Sequence, residues 1–258
     1  VYAGGVLDPR GGNVHPLNYA LGLADAAIGA GARVFGHSRA LGREKVGDRW
    51  IVRTGRGAAA AKRVLVCTNG YTDGFAPDVA KTVVPIRSVQ VATKPLSDNI
   101  AKSIIPGGHS PSDTRRLLLY FRKDALGRFI MGGRGAYDDE GAAAAQEALR
   151  KVSVELFPQL AEAEWERSWG GFVAVTPDHF PNLHLVEDGV LAGLGYNGRG
   201  VAMATAMGKV MADWALGTLE ADLDYPVTPL REMPFHRFHR LGVKLTVARM
   251  KLMDRLGL

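Results

Sequence analysis

The sequence predicts a mixed α/β (α+β) protein on three observations. An apolar helix pattern ending at glycine runs straight into a short apolar extended segment, as in a crossover returning to a sheet. A long middle stretch alternates polar and apolar residues with the two-residue period of antiparallel strands. Near the end, a fully apolar strand pattern meets a glycine-rich turn that opens a second helix. With 258 residues and 47% hydrophobic content, the chain can bury a large core as one domain or two.

His15 to Gly31 reads as a helix, with Leu17, Ala20, Leu21, Ala24 and Ile28 on one face and Gly29-Ala30-Gly31 ending it. Ala32 to Gly36 follows as a strand. Trp50 to Thr54 and Arg63 to Cys67 read as two hairpin strands, the second apolar enough for burial on both faces. It ends at the turn Thr68-Asn69-Gly70-Tyr71. Val84 to Thr93, Arg116 to Arg122 and Arg128 to Gly133 carry the strand alternation, with one helix from Gly141 to Phe157. Val190 to Leu194 restores the parallel texture and leads into Gly195-Tyr196-Asn197-Gly198-Arg199-Gly200-Val201 and the helix Ala202 to Leu216. No internal repeat or low-complexity segment is visible, Gly57 to Ala61 being too short to count.

The net charge of +6 is localised. Seven basic residues against Glu232 and Asp254 lie between Arg231 and Leu258, so the body is nearly neutral and nucleic acid is not an expected partner. In that tail Phe238, Leu241, Leu245, Ala248, Leu252 and Leu256 recur at helical spacing, and Arg237, Arg240, Lys244, Lys251 and Arg255 form another stripe. Such a helix can dock on an anionic membrane or partner. A helix packed on its own protein, with its basic face in water, is the expectation. No run reaches the roughly 18 apolar residues of a membrane span. No charged leader with an apolar core is seen, and Cys67 stands alone without a disulfide or metal-ligand companion, so a reducing, cytoplasmic setting is expected. Paired carboxylates, Ser-His-Asp order and metal-ligand spacing give no hydrolase or metalloenzyme reading.

A glycine-rich turn opening a helix leaves backbone N–H groups unpaired at the positive end of the helix dipole, where an anion or an electron-rich ring edge is held. No acidic residue follows about 20 positions on at the end of another strand, so this is not the usual nucleotide fingerprint. The turn has company. Gly4-Gly5-Val6-Leu7-Asp8-Pro9 as a strand with a following His15-Pro16 helix, Val66 to Tyr71, and Gly195 to Val201 together resemble the D-amino-acid oxidase-like superfamily of FAD-dependent amine and amino-acid oxidoreductases. Tyr120-Phe121-Arg122, Gly127 to Arg134, Trp169-Gly170-Gly171 and Thr176 to Pro181 are similar to its gamma-glutamylputrescine oxidase-like subgroup.

The resemblance covers nearly the whole chain and implies an incomplete FAD-binding Rossmann-like domain with an inserted antiparallel-sheet substrate domain. Residues 1–82 would hold part of the FAD domain and the start of the substrate domain, 83–175 the substrate domain, 176–220 the flavin-facing part, and 221–258 the basic helical tail. Family members begin with a strand, a Gly-x-Gly-x-x-Gly turn and a helix for the ADP pyrophosphate. Neither Gly4-Gly5 nor Gly11-Gly12 has that spacing, so the chain resembles the C-terminal part of a longer enzyme.

The implied chemistry is oxidation of an amine C–N bond by hydride transfer to the flavin. Thr68, Asn69 and Gly70 would lie against the FAD diphosphate or ribityl chain. Gly195, Tyr196, Asn197, Gly198, Arg199, Gly200, Val201 and Ala202 would face the flavin, their N–H groups stabilising charge near N1 and the C2 carbonyl. Gly200 is expected at positive φ. Tyr120, Arg122, Trp169 and Tyr196 are the candidate substrate contacts, and His179 the candidate acid or base. Where many amino-acid oxidases of the family carry a carboxylate-clamping arginine, Phe172-Val173-Ala174-Val175 stands instead. That points to a small amine without a carboxylate beside the reacting carbon, a modified polyamine type, with an amino-acid-like substrate as the other option. The same run lacks the cysteine to which some relatives attach flavin, so the FAD would be non-covalent. The alternative is a non-catalytic remnant or binding subunit that keeps the fold and uses its basic tail for a partner.

Overall fold

His15-Pro16 starts the first helix for local reasons: proline suits the first helical position, and the His15 ring Nδ1 accepts the Asn18 N–H at 3.3 Å. A computed structural model describes residues 2–135 and 139–256, apart from the side chains of residues 139, 140, 251 and 255. Helix α1 spans Pro16–Gly29 and buries no residue, so the predicted Leu17, Leu21 and Ile28 face stands exposed. Two expected strands are absent among the described residues. Gly4 to Pro9 has no ladder partner, and Asp8 instead accepts bonds from Arg10 N (3.0 Å) and the Arg10 guanidinium, making a turn. Ala32 to Gly36 is likewise outside every ladder and exposed among the described residues, its first N–H being taken by Ala27 O at 2.9 Å where the helix ends.

The hairpin expected from Trp50 and Arg63 is a three-strand meander. Strands β1 (Ala40–Val46), β2 (Arg49–Thr54) and β3 (Gly57–Ala61) pair antiparallel in that order. The short alanine run, without strand alternation of its own, is therefore a strand. Thr54 Oγ1 accepts the Arg56 N–H at 3.2 Å and donates to Gly57 O at 3.1 Å, closing the turn between β2 and β3. The next strand, β4 (Val64–Val66), pairs elsewhere. A short helix α2 (Pro77–Ala80) then leads to β5 (Val84–Pro95) and α3 (Asp98–Ser103).

The middle stretch is the predicted antiparallel sheet. β6 (Tyr120–Lys123) and β7 (Arg128–Arg134) pair antiparallel, β7 pairs antiparallel with β5, and the sheet runs β6-β7-β5-β8, where β8 is Trp165–Val175. Arg116 to Leu119 drops out of the expected strand because Asp113 Oδ1 draws in the N–H groups of Arg115 (3.2 Å) and Leu119 (2.9 Å). Val89, Val91, Phe121, Phe129 and Met131 occupy one face with Leu149 of α4 (Asp139–Leu156), a buried aromatic-aliphatic core. Phe121 and Phe129 each meet Phe157 edge-on there, at 5.3 and 5.5 Å.

β9 (Asn182–Glu187) turns at Asp188-Gly189 into β10 (Val190–Leu194), and β10 runs parallel to β4, giving the order β4-β10-β9. One face of this sheet packs Val66, Val190, Ala192 and Leu194 with Trp50, Val79 and Val83. On its other face Leu183 and Leu191 meet Met207, Val210, Met211 and Trp214 of α5 (Gly200–Leu216). Helix α6 spans His239–Leu256. Against the expectation that its leucines pack inward, Leu241, Leu245, Leu252 and Leu256 are exposed, and the half-buried side is Val243, Val247 and Met250. Lys251 and Arg255, expected in the basic stripe, lie outside the described side chains. Backbone contacts divide the chain into one unit of Val1–Leu23, Arg87–Gly171 and Leu241–Leu258 and another of Ala24–Ile86 and Phe172–Arg240. Among the described residues no helix is long and apolar enough to cross a membrane, and no group of three or more His, Cys, Asp or Glu side chains is placed to hold a metal.

Candidate functional site

Because β4 and β10 are parallel neighbours, the turns at their carboxyl ends open on the same side, the position where α/β sheets hold ligands. The turn after β4 is one helical turn, Asn69–Tyr71, with Asn69 in the left-handed region at φ 45°. Thr68 and Thr72 share a hydroxyl bond at 2.7 Å, and Thr72 Oγ1 donates to Asn69 O at 2.8 Å. With its backbone fixed this way, Asn69 Oδ1 accepts the Gly195 N–H at 3.0 Å. That bond joins the two turns singled out in the sequence. Gly70 has no room for a side chain, since a Cβ would stand 2.9 Å from Phe172 O. Tyr71 also packs edge-on to Phe172 and accepts its N–H at 3.1 Å.

The third strand of this knot is Asn197, at φ 50°. Its Oδ1 accepts Thr176 N–H at 2.9 Å, its Nδ2 donates to Thr176 Oγ1 at 3.0 Å, and its own N–H donates to Ala174 O at 3.1 Å. The run Phe172 to Val175, expected as an apolar wall, is thus held against both turns. Gly195 at φ 78° would place a Cβ 2.4 Å from Thr176 Cγ2, so a side chain there is excluded twice over.

Gly193, Gly195 and Gly198 have dinucleotide-turn spacing, and the structure puts a strand before them and a helix after. No parallel strand follows α5 among the described residues, so nothing stands where a ribose-binding acid would. The α5 start itself is suited to an electron-rich group. Arg199 is the N-cap and makes no side-chain cap bond, and the first turn holds no acidic residue. The N–H groups of Gly200, Val201 and Ala202 therefore keep their positive end uncompensated by a side chain. Gly198 is the left-handed glycine at φ 88°, with no heavy atom within 4 Å of where a Cβ would stand; Gly200 lies outside the left-handed region, correcting the expectation for it.

Tyr196 faces the other way. Its ring is buried with Met207, Met211 and Trp214, and burial, followed by the Cys67 sulfur, pushes its phenol up to about 12. Core packing is thus what the structure shows of this residue, expected also to contact substrate. His179 is exposed at φ 60° in the Thr-Pro-Asp turn, which Thr176 Oγ1 closes by donating to Phe180 O at 2.9 Å.

In the other unit, Tyr120 and Arg122 share a face of β6 by strand alternation. The Tyr120 ring lies over Gly132, where a Cβ would stand 2.0 Å from its Cε2, and its hydroxyl bonds Ser88 Oγ on β5. Burial raises the Tyr120 phenol pKa against the opposing effects of Ser88 and Arg122. Gly170 points at Val89 and Arg87, so alternation puts Trp169 on the Ser88 face. Tyr120, Arg122 and Trp169 are thus on one sheet face, with two residues the sequence reading missed: Ser88 and Gln90, whose Oε1 is buried without a partner. Polar residues alternating with valine in Ser88-Val89-Gln90-Val91 were the signal available for both.

Residues 1–214 match the family model described as DAO, FAD dependent oxidoreductase. The chain is 38% identical over 223 residues to the probable oxidoreductase OrdL of Rhizobium meliloti, covering 86% of this chain and 52% of that protein. It is 31% identical over 260 residues to gamma-glutamylputrescine oxidoreductase of Escherichia coli, covering 99% and 60%. The chain spans about half the length of the curated relatives it matches. Among solved structures, glycine oxidase from Geobacillus kaustophilus aligns with a TM-score of 0.65 at 20% identity over 81% of this chain and 56% of that one. Iminodiacetate oxidase from Chelativorans sp. BNC1 aligns with a TM-score of 0.65 at 17% identity over 83% and 58%. From the family match across its sheets and turns, the chain belongs to the DAO family of FAD-dependent oxidoreductases.

Proposed function

We propose that this chain carries the flavin-facing and substrate-facing parts of an enzyme that oxidises the C–N bond of an amine. The observation behind the reading is the Asn69–Gly195 bond, which fixes the turns after two parallel strands beside an uncapped helix start. The residues suit an FAD: the glycines leave open space at Gly198 and Gly200, and the free N–H groups of Gly200 to Ala202 favour negative charge. Thr68, Asn69 and Gly70 would hold its ribityl or diphosphate portion. When bound, FAD supplies the redox chemistry by accepting a hydride equivalent from the carbon beside the amine nitrogen.

The chain's own residues would orient and enclose. The α5 N–H groups would stabilise negative charge on a flavin held there. Tyr120, Arg122 and Trp169 would position the substrate, and the Phe172 to Val175 run offers no cation for a carboxylate. A polyamine-type amine fits that apolar run better than a simple α-amino acid, and the name of the Escherichia coli relative supports the same class.

Gly200→Val tests the assignment. Its Cβ meets only Tyr196 Cδ2, at 4.0 Å, so the fold tolerates the change while a group approaching the N–H cluster is obstructed. In flavin-loaded protein, stopped-flow reduction by a polyamine-type substrate is expected to slow roughly 100-fold, the scale of losing one oxyanion donor. An unchanged rate would refute the flavin placement.

A further inference from the structure

We infer that α6 is a docking helix for an anionic lipid surface. Leu241, Leu245, Leu252 and Leu256 form one stripe at helical spacing and are 57%, 63%, 57% and 62% exposed. Val243, Val247 and Met250 occupy the opposite side and are half-buried. On that inner side Asp254, the helix's one acidic residue, pairs with Arg116 at 3.4 Å. The acidic charge is thereby engaged within the unit, while Lys244 and Arg249 are exposed on either flank of the leucines. Lys251 and Arg255 add two further positive charges by sequence.

A leucine stripe left in water on a helix whose opposite side is half-buried calls for a cover. The flanking charge decides which. A second copy of the same helix would bring like charges together along both edges of the stripe. An anionic bilayer accepts both parts at once, the leucines reaching the acyl boundary and the cations remaining at headgroup depth. The stripe is a single helix ridge, which suits a fluid surface better than the shaped groove of a protein partner.

The test is co-sedimentation of the 258-residue chain with vesicles of phosphatidylcholine alone or with about 30% phosphatidylglycerol. The anionic vesicles are expected to bind at least about tenfold more strongly, with loss of binding as NaCl rises from about 0.1 to about 0.5 M. Leu245→Glu combined with Leu252→Glu should abolish binding, and Lys244→Glu with Arg249→Glu should abolish the anionic preference. All four positions are exposed, and circular dichroism of each variant checks the fold. Equal binding to both vesicle types, no binding, or wild-type binding by the leucine variant would overturn the inference. So would a dimer in gel filtration that Leu245→Glu/Leu252→Glu converts to monomer without any vesicle binding, which would assign the stripe to a second copy.

Discussion

Gly198 and Gly200 stand two residues apart at one helix start, and replacing each by alanine should move stability in opposite directions. Neither position is crowded: a Cβ at Gly198 meets no heavy atom within 4 Å, and one at Gly200 meets only Tyr196 Cδ2, at 4.0 Å. The difference is therefore conformational. At Gly198, φ is 88°, where an L-residue costs about 1–2 kcal/mol. Restricting the unfolded chain returns about 0.4–1 kcal/mol, so Gly198→Ala should lose about 1 kcal/mol net. Gly200 begins α5 outside the left-handed region, so Gly200→Ala keeps the unfolded-state gain of about 0.4–1 kcal/mol. Equilibrium urea unfolding of both variants measures the split, about 1–2 kcal/mol between them. Gly198→Asn, with a side chain tolerated at positive φ, should fall between wild type and Gly198→Ala. If Gly200→Ala costs as much as Gly198→Ala, the placement of the left-handed turn is wrong, and with it the orientation of the N–H groups.

Asn69→Ala should destabilise by about 2–4 kcal/mol, combining an unpaired Gly195 N–H with an alanine at positive φ, whereas Asn69→Asp keeps an acceptor and should lose less; equal losses in urea unfolding would disprove the link. His184 is buried with Nδ1 at 3.0 Å from Thr228 O and Nε2 without a partner, and burial lowers its pKa below 6.5. The unfolded chain then binds the extra proton first, so this contribution is complete above pH 6.5 and is lost as pH falls through the folded pKa. The acid-side slope of unfolding free energy against pH should flatten by up to about one proton in His184→Gln, and an unchanged slope would count against it. Because neither Gly4-Gly5 nor Gly11-Gly12 forms a strand, turn and helix, the 258-residue chain should retain FAD weakly. Stoichiometric yellow flavin after gel filtration would contradict that.

What the sequence alone determined was local. His15-Pro16 and Gly29 to Gly31 bracket α1, the valine-rich alternation marks β5, the Phe129 to Met131 run marks β7, and the apolar run Val190 to Leu194 marks β10, because periodicity and end signals lie within the segment that uses them. The two glycine turns were legible for the same reason. Strand partnership was not. Arg63 to Cys67 looked like half of a hairpin, yet β4 pairs in parallel with β10, and the alanines of β3 take the place beside β2, since a strand's partner depends on ladders far along the chain. Val34 and Phe35 have strand composition and no partner among the described residues, so composition alone did not make a strand. The site divides along the same line. Its glycines and Asn69 could be named from the sequence, but only the tertiary structure set Asn69 Oδ1 on Gly195 N–H, turned Tyr196 into the core and put Ser88 beneath the Tyr120 hydroxyl, because each depends on backbone positions fixed by residues remote in sequence.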